Sequence, residues 1–142
     1  MNNDKQSQID ELLAQPVLAR LATADAATGQ PHVVPLWFLW DGEALWISSF
    51  SGTRKIKELL ANPRAAVLIE PDAAHPSPLQ AVLFKGPVEI IREPRDFIAR
   101  QAIAIYTRYM GAEGVQAAEP QSWAHDPAGL LLRLLPEKVI AW

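Results

Sequence analysis

The chain has 142 residues, of which 49% are apolar and 20% charged, and its formal net charge is −3. A chain of this length normally folds as one domain, here expected to span residues 1–142, and it has enough apolar side chains for a sizeable core. The small negative charge argues against nucleic acid or an anionic membrane as a partner. The lack of cysteine excludes disulfides, thiol catalysis and thiolate metal sites. The N-terminus lacks the apolar core of a signal peptide, and no apolar run approaches the length of a membrane span, so we expect a soluble cytoplasmic protein.

Proline and glycine divide the first part of the chain into its expected elements. Pro35 lies within a strongly apolar stretch and indicates a strand edge, a bulge or an interruption, because proline cannot donate to a strand ladder. The dipeptide Asp41-Gly42 is a hairpin signal. The expected elements are, in chain order, a helix over residues 7–15 and strands over residues 17–24, 31–40 and 44–50.

The same two residue types divide the rest of the chain. Asn62-Pro63 ends a helix, since the residue before proline is pushed out of helical geometry. Gly86-Pro87 predicts a bend in a long strand, and Gly111 predicts the end of a second long helix. The expected elements are a helix over residues 53–61, a strand over 65–70, a proline-rich loop over 71–78, a strand over 79–92, a helix from residue 93, an irregular or short helical segment over 112–128, and strands over 130–135 and 139–142. This order favours an antiparallel sheet forming a small barrel with helices over its openings, a mainly-β fold with peripheral helices.

The stretch between the third strand and the next helix carries the clearest functional signal. Three cations, Arg54, Lys55 and Lys57, crowd the first turns of that helix, where the helix dipole is already positive. The preceding residues 51–53 add two hydroxyls and a glycine. Unpaired N–H groups, hydroxyls and cations together suit an anion such as a phosphate. An ordinary solvated helix face explains the same charges about equally well.

Several ordered motifs resemble one known family. They are an "LAT" strand with a glycine turn, the strand "PHVVPLWF", the "DG" hairpin and the segment "TRKIKELLANPRAAV", and together they cover about residues 17–70. They resemble the flavin-binding split β-barrel superfamily, the pyridoxamine 5′-phosphate oxidase-like group that also includes deazaflavin-dependent reductases. The resemblance implies a six-stranded antiparallel split β-barrel of the FMN-binding type. It also implies a homodimer with a cofactor groove at its interface.

The resemblance further implies which residues hold the cofactor. The phosphate is expected near the hydroxyls and cations of the turn, with Lys57 as a less certain member. The strand that begins at His32 is expected to present backbone groups to the flavin ring. The expected cofactor-binding residues are His32, Val33, Val34, Pro35, Ser48, Ser49, Thr53, Arg54 and Lys55. The basic and aromatic C-terminal segment of pyridoxamine phosphate oxidase is missing, so pyridoxamine phosphate is not the expected substrate.

The functional hypotheses rank as follows. The leading one is an FMN-binding oxidoreductase, in which the flavin carries hydride or electrons and the protein orients it. The second is a reductase that uses the deazaflavin coenzyme F-420. A third is a non-catalytic flavin or haem carrier, in which His32 or His75 would be the axial ligand, and a fourth is a structural dimer with an empty groove. No ligand spacing such as HExxH occurs, so no metal is expected. Tyr106 and Arg108 are candidates for a substrate pocket, although an ordinary helix surface is the preferred interpretation.

Overall fold

The computed structural model describes residues 3–142. Its helices are α1 (Asn3–Leu13), α2 (Arg54–Ala61), α3 (Arg95–Gly114) and α4 (Ala118–Ala124). Its strands are β1 (Ala19–Ala24), β2 (Pro31–Leu36), β3 (Leu39–Trp40), β4 (Leu45–Phe50), β5 (Arg64–Ile69), β6 (Val82–Ile91), β7 (Gly129–Leu134) and β8 (Lys138–Ala141). Within this described part of the chain, no helix is both long and apolar enough to cross a membrane.

The strands form one antiparallel sheet whose two ends meet. Its order is β2-β1-β5-β6-β7-β4-β3, and β8 pairs with β6. The end strands β2 and β3 are consecutive in the chain and are joined only by Trp37 and Phe38. A connection of that length spans roughly 11 Å at most. The sheet therefore curls until its ends are neighbours, an arrangement consistent with a split barrel.

The family resemblance implies six strands and the sequence pattern predicts seven, whereas the described part of the chain has eight, so both counts are wrong. The expected strand over residues 31–40 divides at Trp37-Phe38. β2 pairs with β1 as far as Leu36, whereas β3 pairs with β4 from Leu39 onwards. The chain thus crosses from one end of the sheet to the other, and Pro35 lies in an edge strand, as its missing N–H predicts.

The long strand β6 belongs to both halves of the sheet. Its first part, through Pro87, pairs with β5, and the part from Val88 pairs with β7. The changeover falls at Gly86-Pro87, where the sequence predicts a bend. A Cβ atom at Gly86 would overlap the carbonyl oxygen of Leu135. The close approach of the β7–β8 connection therefore requires glycine at this position.

Two apolar clusters lie on opposite faces of the curled sheet. The first fills its interior and is covered by α1 and α2, and the second packs α3 and α4 against the outer face of β4 and β7. Alternation along β4 separates them, since Leu45 and Ile47 belong to the first cluster and Trp46 to the second. Each fully buried side chain of this size contributes roughly 1.5–3 kcal/mol. The largest are Phe38, Phe84, Ile9, Leu12, Leu13, Leu21, Leu45, Ile47, Ile56, Leu59, Ile69 and Ile98.

Of two predicted helix boundaries, one needs correction and the other is confirmed. α1 begins at Asn3 rather than at residue 7, because the polar residues before Ser7 continue the helix. The prediction that Gly111 ends a helix is confirmed, because its backbone, with φ of 80° and ψ of 166°, is non-helical and kinks α3 before the last short helical stretch to Gly114. The segment after it, expected to be irregular or short helical, contains α4.

Arg108 on α3 ties distant parts of the chain together. Its guanidinium donates to the backbone oxygens of Leu13 (2.8 Å), Gln15 (2.9 Å) and Phe38, and it lies 4.7 Å from the centre of the Phe38 ring. The neighbouring Tyr109 hydroxyl donates to the Val17 oxygen at 2.7 Å and accepts from the Phe38 N–H. Arg108 is therefore a structural residue that fixes α3 against the α1–β1 and β2–β3 connections.

Candidate cofactor site

The start of α2 carries amide groups that no side chain caps. Gly52, with φ of 88°, turns the chain after β4, and Thr53 occupies the N-cap position. The Thr53 hydroxyl donates to the Phe50 oxygen at 3.1 Å and makes no capping hydrogen bond to the helix. The first turn also contains no acidic residue. The first amides of α2 therefore remain available to an anion.

Lys55 lies in this first turn and is partly buried. Burial lowers the pKa of its ammonium group. Among residues 3–142, no carboxylate lies within ion-pair distance of Lys55. A partly desolvated cation without an anionic partner is costly, so the residues present fit a negatively charged group.

Arg54 and Lys57 of α2 line a cleft of about 640 Å³, and Lys55 is not among its lining residues. One wall of this cleft, called here the cationic cleft, is formed by α2 and the other by the β1–β2 turn. Its lining residues are Asp25, Ala26, Ala27, Gly52, Arg54, Lys57, Glu58 and Ala61. Arg54 is 67% exposed, so its guanidinium can reach a ligand in the cleft.

A buried carboxylate lies at one side of the cationic cleft. Glu58 Oε1 accepts a hydrogen bond of 2.6 Å from the Thr23 hydroxyl and lies 3.3 Å from His32 Nδ1, and Glu58 Oε2 lies 3.5 Å from Arg54 Nε. The Thr23 hydrogen bond is the main cause that lowers the pKa of Glu58, helped by the charges of His32 and Arg54. Glu58 therefore links β1, β2 and the start of α2. Sequence reasoning missed it, although its spacing of four residues from Arg54 is a recognisable pairing signal.

The edge strand β2 presents backbone and apolar groups to solvent. Its residues alternate between exposed and partly buried, and Val33 is 61% exposed. Among the described strands, only β1 pairs with β2, so the backbone polar groups of alternate β2 residues face outwards. Pro35 lies among the exposed residues, whereas His32 and Val34 are partly buried. The arrangement leaves an edge along which a flat ligand can bind to backbone groups.

The two serines expected at the site point in opposite directions. The Ser48 hydroxyl lies 3.0 Å from the Tyr106 hydroxyl on the outer face of the sheet. Ser49 is 2% exposed, and its hydroxyl has no hydrogen-bond partner in the described part of the chain. Strand alternation places Ser49 on the face of Leu45 and Ile47, inside the curled sheet.

Ser48 and Tyr106 belong to a second, uncharged cavity of about 210 Å³. We call it the aromatic pocket. It is lined by Trp37, Ser48, Phe50, Ile105, Tyr106 and Trp123. Tyr106 contacts Trp37 and Trp123 edge-on, with ring centres 6.1 and 5.8 Å apart. The sequence left two placements open for Tyr106, a pocket wall or an ordinary helix surface. The structure places it in the wall of this pocket.

The other two histidines make local contacts. His75 Nδ1 is 2.8 Å from Asp72 Oδ1 in the loop after β5. His125 Nδ1 is 2.9 Å from the Gln121 oxygen at the end of α4. Neither histidine lines the cationic cleft or the aromatic pocket.

Comparisons with known proteins give a family and a set of similar folds. The sequence model of the family described as pyridoxamine 5′-phosphate oxidase matches residues 6–142. A structure named F420 reductase is 25% identical, with a TM-score of 0.73, over 92% of this chain and 94% of that one. A conserved hypothetical protein from Mycobacterium tuberculosis is 22% identical, with a TM-score of 0.79, over 100% of this chain and 84% of that one. The haem storage protein HutZ from Vibrio cholerae is 18% identical, with a TM-score of 0.72, over 96% of this chain and 93% of that one. No curated protein matches the sequence.

Proposed function

The chain belongs to the pyridoxamine 5′-phosphate oxidase family, and on that premise we propose that it binds FMN and acts as an oxidoreductase. The proposal places the cofactor phosphate at the turn from Ser48 to Lys55 and the ring along β2. The single domain, the dimer and the cytoplasmic location expected from the sequence remain part of this proposal. When bound, the flavin supplies the hydride or electron transfer.

The observation that carries the proposal is the partial burial of Lys55 without a carboxylate partner among residues 3–142. This cation is partly buried at a helix N-terminus, burial lowers its pKa, and no carboxylate in residues 3–142 pairs with it. A phosphate would supply the missing negative charge through charge-assisted hydrogen bonds. It would also accept hydrogen bonds from the first amides of α2.

Arg54 has a supporting role in the same proposal. Its Nε group lies 3.5 Å from Glu58 Oε2, and most of the side chain is exposed. Glu58 holds the base of the guanidinium, while its outer N–H groups remain free to bind phosphate oxygens in pairs. Glu58 is thus proposed as the residue that orients Arg54.

The assignments within the turn follow from the placement of each side chain. Thr53 is partly buried at the N-cap, so its hydroxyl oxygen and its backbone lie beside the proposed phosphate. Ser48 and Ser49 point to opposite faces, so their side chains cannot serve one phosphate together. We therefore propose that β4 contributes mainly through its backbone near the phosphate, and that Ser48 contributes through the aromatic pocket.

A deazaflavin is the second candidate, and the position of Lys57 in the cationic cleft favours it. Coenzyme F-420 has a longer acidic tail than FMN, and the cleft supplies Lys57 as a further cation beside Arg54, together with the carboxylates of Asp25 and Glu58. The structure named F420 reductase, at 25% identity, has the same fold over nearly its whole length. In this candidate, Lys57 would bind the tail beyond the first phosphate.

Identification of the bound molecule tests the proposal. The purified protein is examined by mass spectrometry and by visible absorption, and the cofactor-free protein is then titrated with FMN and with coenzyme F-420. We expect FMN in the purified protein, or tighter binding of FMN than of F-420. Tighter binding of F-420 would replace the leading candidate with the second, and binding of neither would contradict both.

A further inference from the structure

The aromatic pocket lies where the two proposed cofactor segments converge. Trp37 follows the last residue of β2, and Ser48 and Phe50 belong to the end of β4, within the stretch from Ser48 to Lys55 that is proposed to hold the phosphate. The remaining walls come from α3 and α4. A molecule in this pocket would therefore lie beside both segments that are proposed to hold the flavin.

We propose that the aromatic pocket is the substrate site, and that its substrate class is a neutral, planar single-ring compound with one hydrogen-bonding substituent. The assignment of this pocket as a substrate site rests on the proposed function. The binding of a ring compound in the pocket does not depend on it. Size supports the ring: an apolar cavity of about 150 Å³ accepts benzene, and this pocket measures about 210 Å³. The difference leaves room for one small substituent.

The walls of the pocket are rigid and flat. Trp37 stacks on Tyr109 with ring centres 4.8 Å apart and planes within 4° of parallel. Tyr109 is itself held by its hydrogen bond to the Val17 oxygen. Tyr106 and Trp123 meet edge to face. Aromatic side chains fixed in this way favour flat rings, which gain offset or edge-on contacts with them at little entropic cost.

One polar pair gives the pocket its orientation. The Ser48 and Tyr106 hydroxyls lie 3.0 Å apart, so one of them donates to the other and the second retains a free O–H group. Burial raises the pKa of Tyr106, so this hydroxyl keeps its proton and can donate at neutral pH. A carbonyl or hydroxyl on the ligand ring would find both a donor and an acceptor here.

The absence of charge among the six lining residues separates this pocket from the cationic cleft. An ionised ligand would lose its hydration here without gaining a counter-ion. The pocket therefore disfavours phosphorylated rings such as pyridoxamine phosphate. The charged cofactor tail and the neutral substrate would thus occupy two chemically distinct sites.

Fluorine NMR on the protein as purified tests this inference, with 4-fluorophenol as the neutral probe and 4-fluorobenzoate as the charged one. We expect saturable binding of 4-fluorophenol and no binding of 4-fluorobenzoate. Tyr106→Phe keeps the ring and removes the hydroxyl, so it should weaken binding about fivefold. Ile105→Trp should fill the pocket and abolish binding, while Arg100→Gln, at an exposed position of the same helix, should change nothing.

No binding of 4-fluorophenol by the unmodified protein would overturn the inference. So would an affinity for 4-fluorophenol in Tyr106→Phe and in Ile105→Trp that equals that of the unmodified protein. Tyr106→Phe removes only a hydroxyl, so the test survives if Ile105→Trp fails to fold. Failure of the proposed function has a different signature. A protein that binds 4-fluorophenol but neither FMN nor F-420 has the pocket without the cofactor, whereas the reverse result refutes the pocket alone.

Discussion

The hydroxyl of Thr23 on β1 donates a hydrogen bond of 2.6 Å to the buried carboxylate of Glu58 on α2. The same carboxylate oxygen lies 3.3 Å from Nδ1 of His32, the residue opposite Thr23 in β2. Glu58 thereby joins the edge strand proposed to hold the flavin ring to the helix proposed to hold its phosphate. One buried charge fixes the relative position of both elements.

This carboxylate predicts how stability depends on pH. The hydrogen bond from Thr23 and the charges of His32 and Arg54 hold the pKa of Glu58 below its ordinary value of 4.5. A carboxyl group with a lowered pKa in the folded state stabilises the fold fully above its unfolded pKa, and this contribution is lost as the pH falls through the folded pKa. The difference in melting temperature between the natural chain and Glu58→Gln should therefore shrink as the pH falls below about 4.5.

Thermal melts from pH 3 to pH 7 check this prediction. Glu119→Gln, at an exposed position on α4, is the matched control and should follow the natural chain throughout. A Glu58→Gln curve that runs parallel to the natural one down to the lowest pH would show that Glu58 has no lowered pKa.

Removal of the Tyr109 hydroxyl should destabilise the fold more than removal of the Tyr106 hydroxyl. The Tyr109 hydroxyl donates to the Val17 oxygen at 2.7 Å and accepts from the Phe38 N–H at 3.2 Å. Tyr109→Phe would leave both backbone groups without this partner, at a cost of about 1–3 kcal/mol. Tyr106→Phe loses only the contact with Ser48 and should cost about 0.5–1.5 kcal/mol. Urea unfolding of the two variants measures the difference, and a larger loss for Tyr106→Phe would contradict this account.

Substitution of Gly86 by alanine should destabilise the fold through a steric clash alone. The Cβ atom of Gly86→Ala would overlap the backbone oxygen of Leu135, and backbone moves less readily than a side chain. Overpacking of this kind costs about 1–3 kcal/mol. Lys85→Ala, at the preceding exposed position of β6, is the control and should unfold close to the natural midpoint. A Gly86→Ala midpoint equal to the natural one would mean that the β7–β8 connection relaxes freely.

Local signals predicted much of the fold and the position of the basic turn. Proline and glycine marked most element boundaries, and the expected mainly-β architecture with helices is observed. The strand count was wrong because the division at Trp37-Phe38 depends on which neighbour each half pairs with, and periodicity does not contain that information. Gly111 interrupts α3 where the sequence predicts a helix end, because glycine adopts a positive φ without steric strain.

The candidate site was predictable only where its residues are close in sequence. Arg54 and Lys55 follow the turn directly, so one stretch revealed them. Glu58 meets Thr23 and His32 only after β1, β2 and α2 have packed together, which no local pattern shows. Ser48 and Ser49 were grouped by the family resemblance, although strand alternation alone predicts that they face opposite ways.

The central claim is that the cations at the start of α2 bind the cofactor phosphate. Its most direct test is titration of FMN into the cofactor-free protein and into the double variant Arg54→Ala/Lys55→Ala. The control is Arg100→Ala/Lys138→Ala, which removes the same charge from exposed positions elsewhere. The account predicts at least a tenfold weaker affinity, about 1.4 kcal/mol or more, for the α2 variant only. Equal FMN affinity in all three proteins would contradict it.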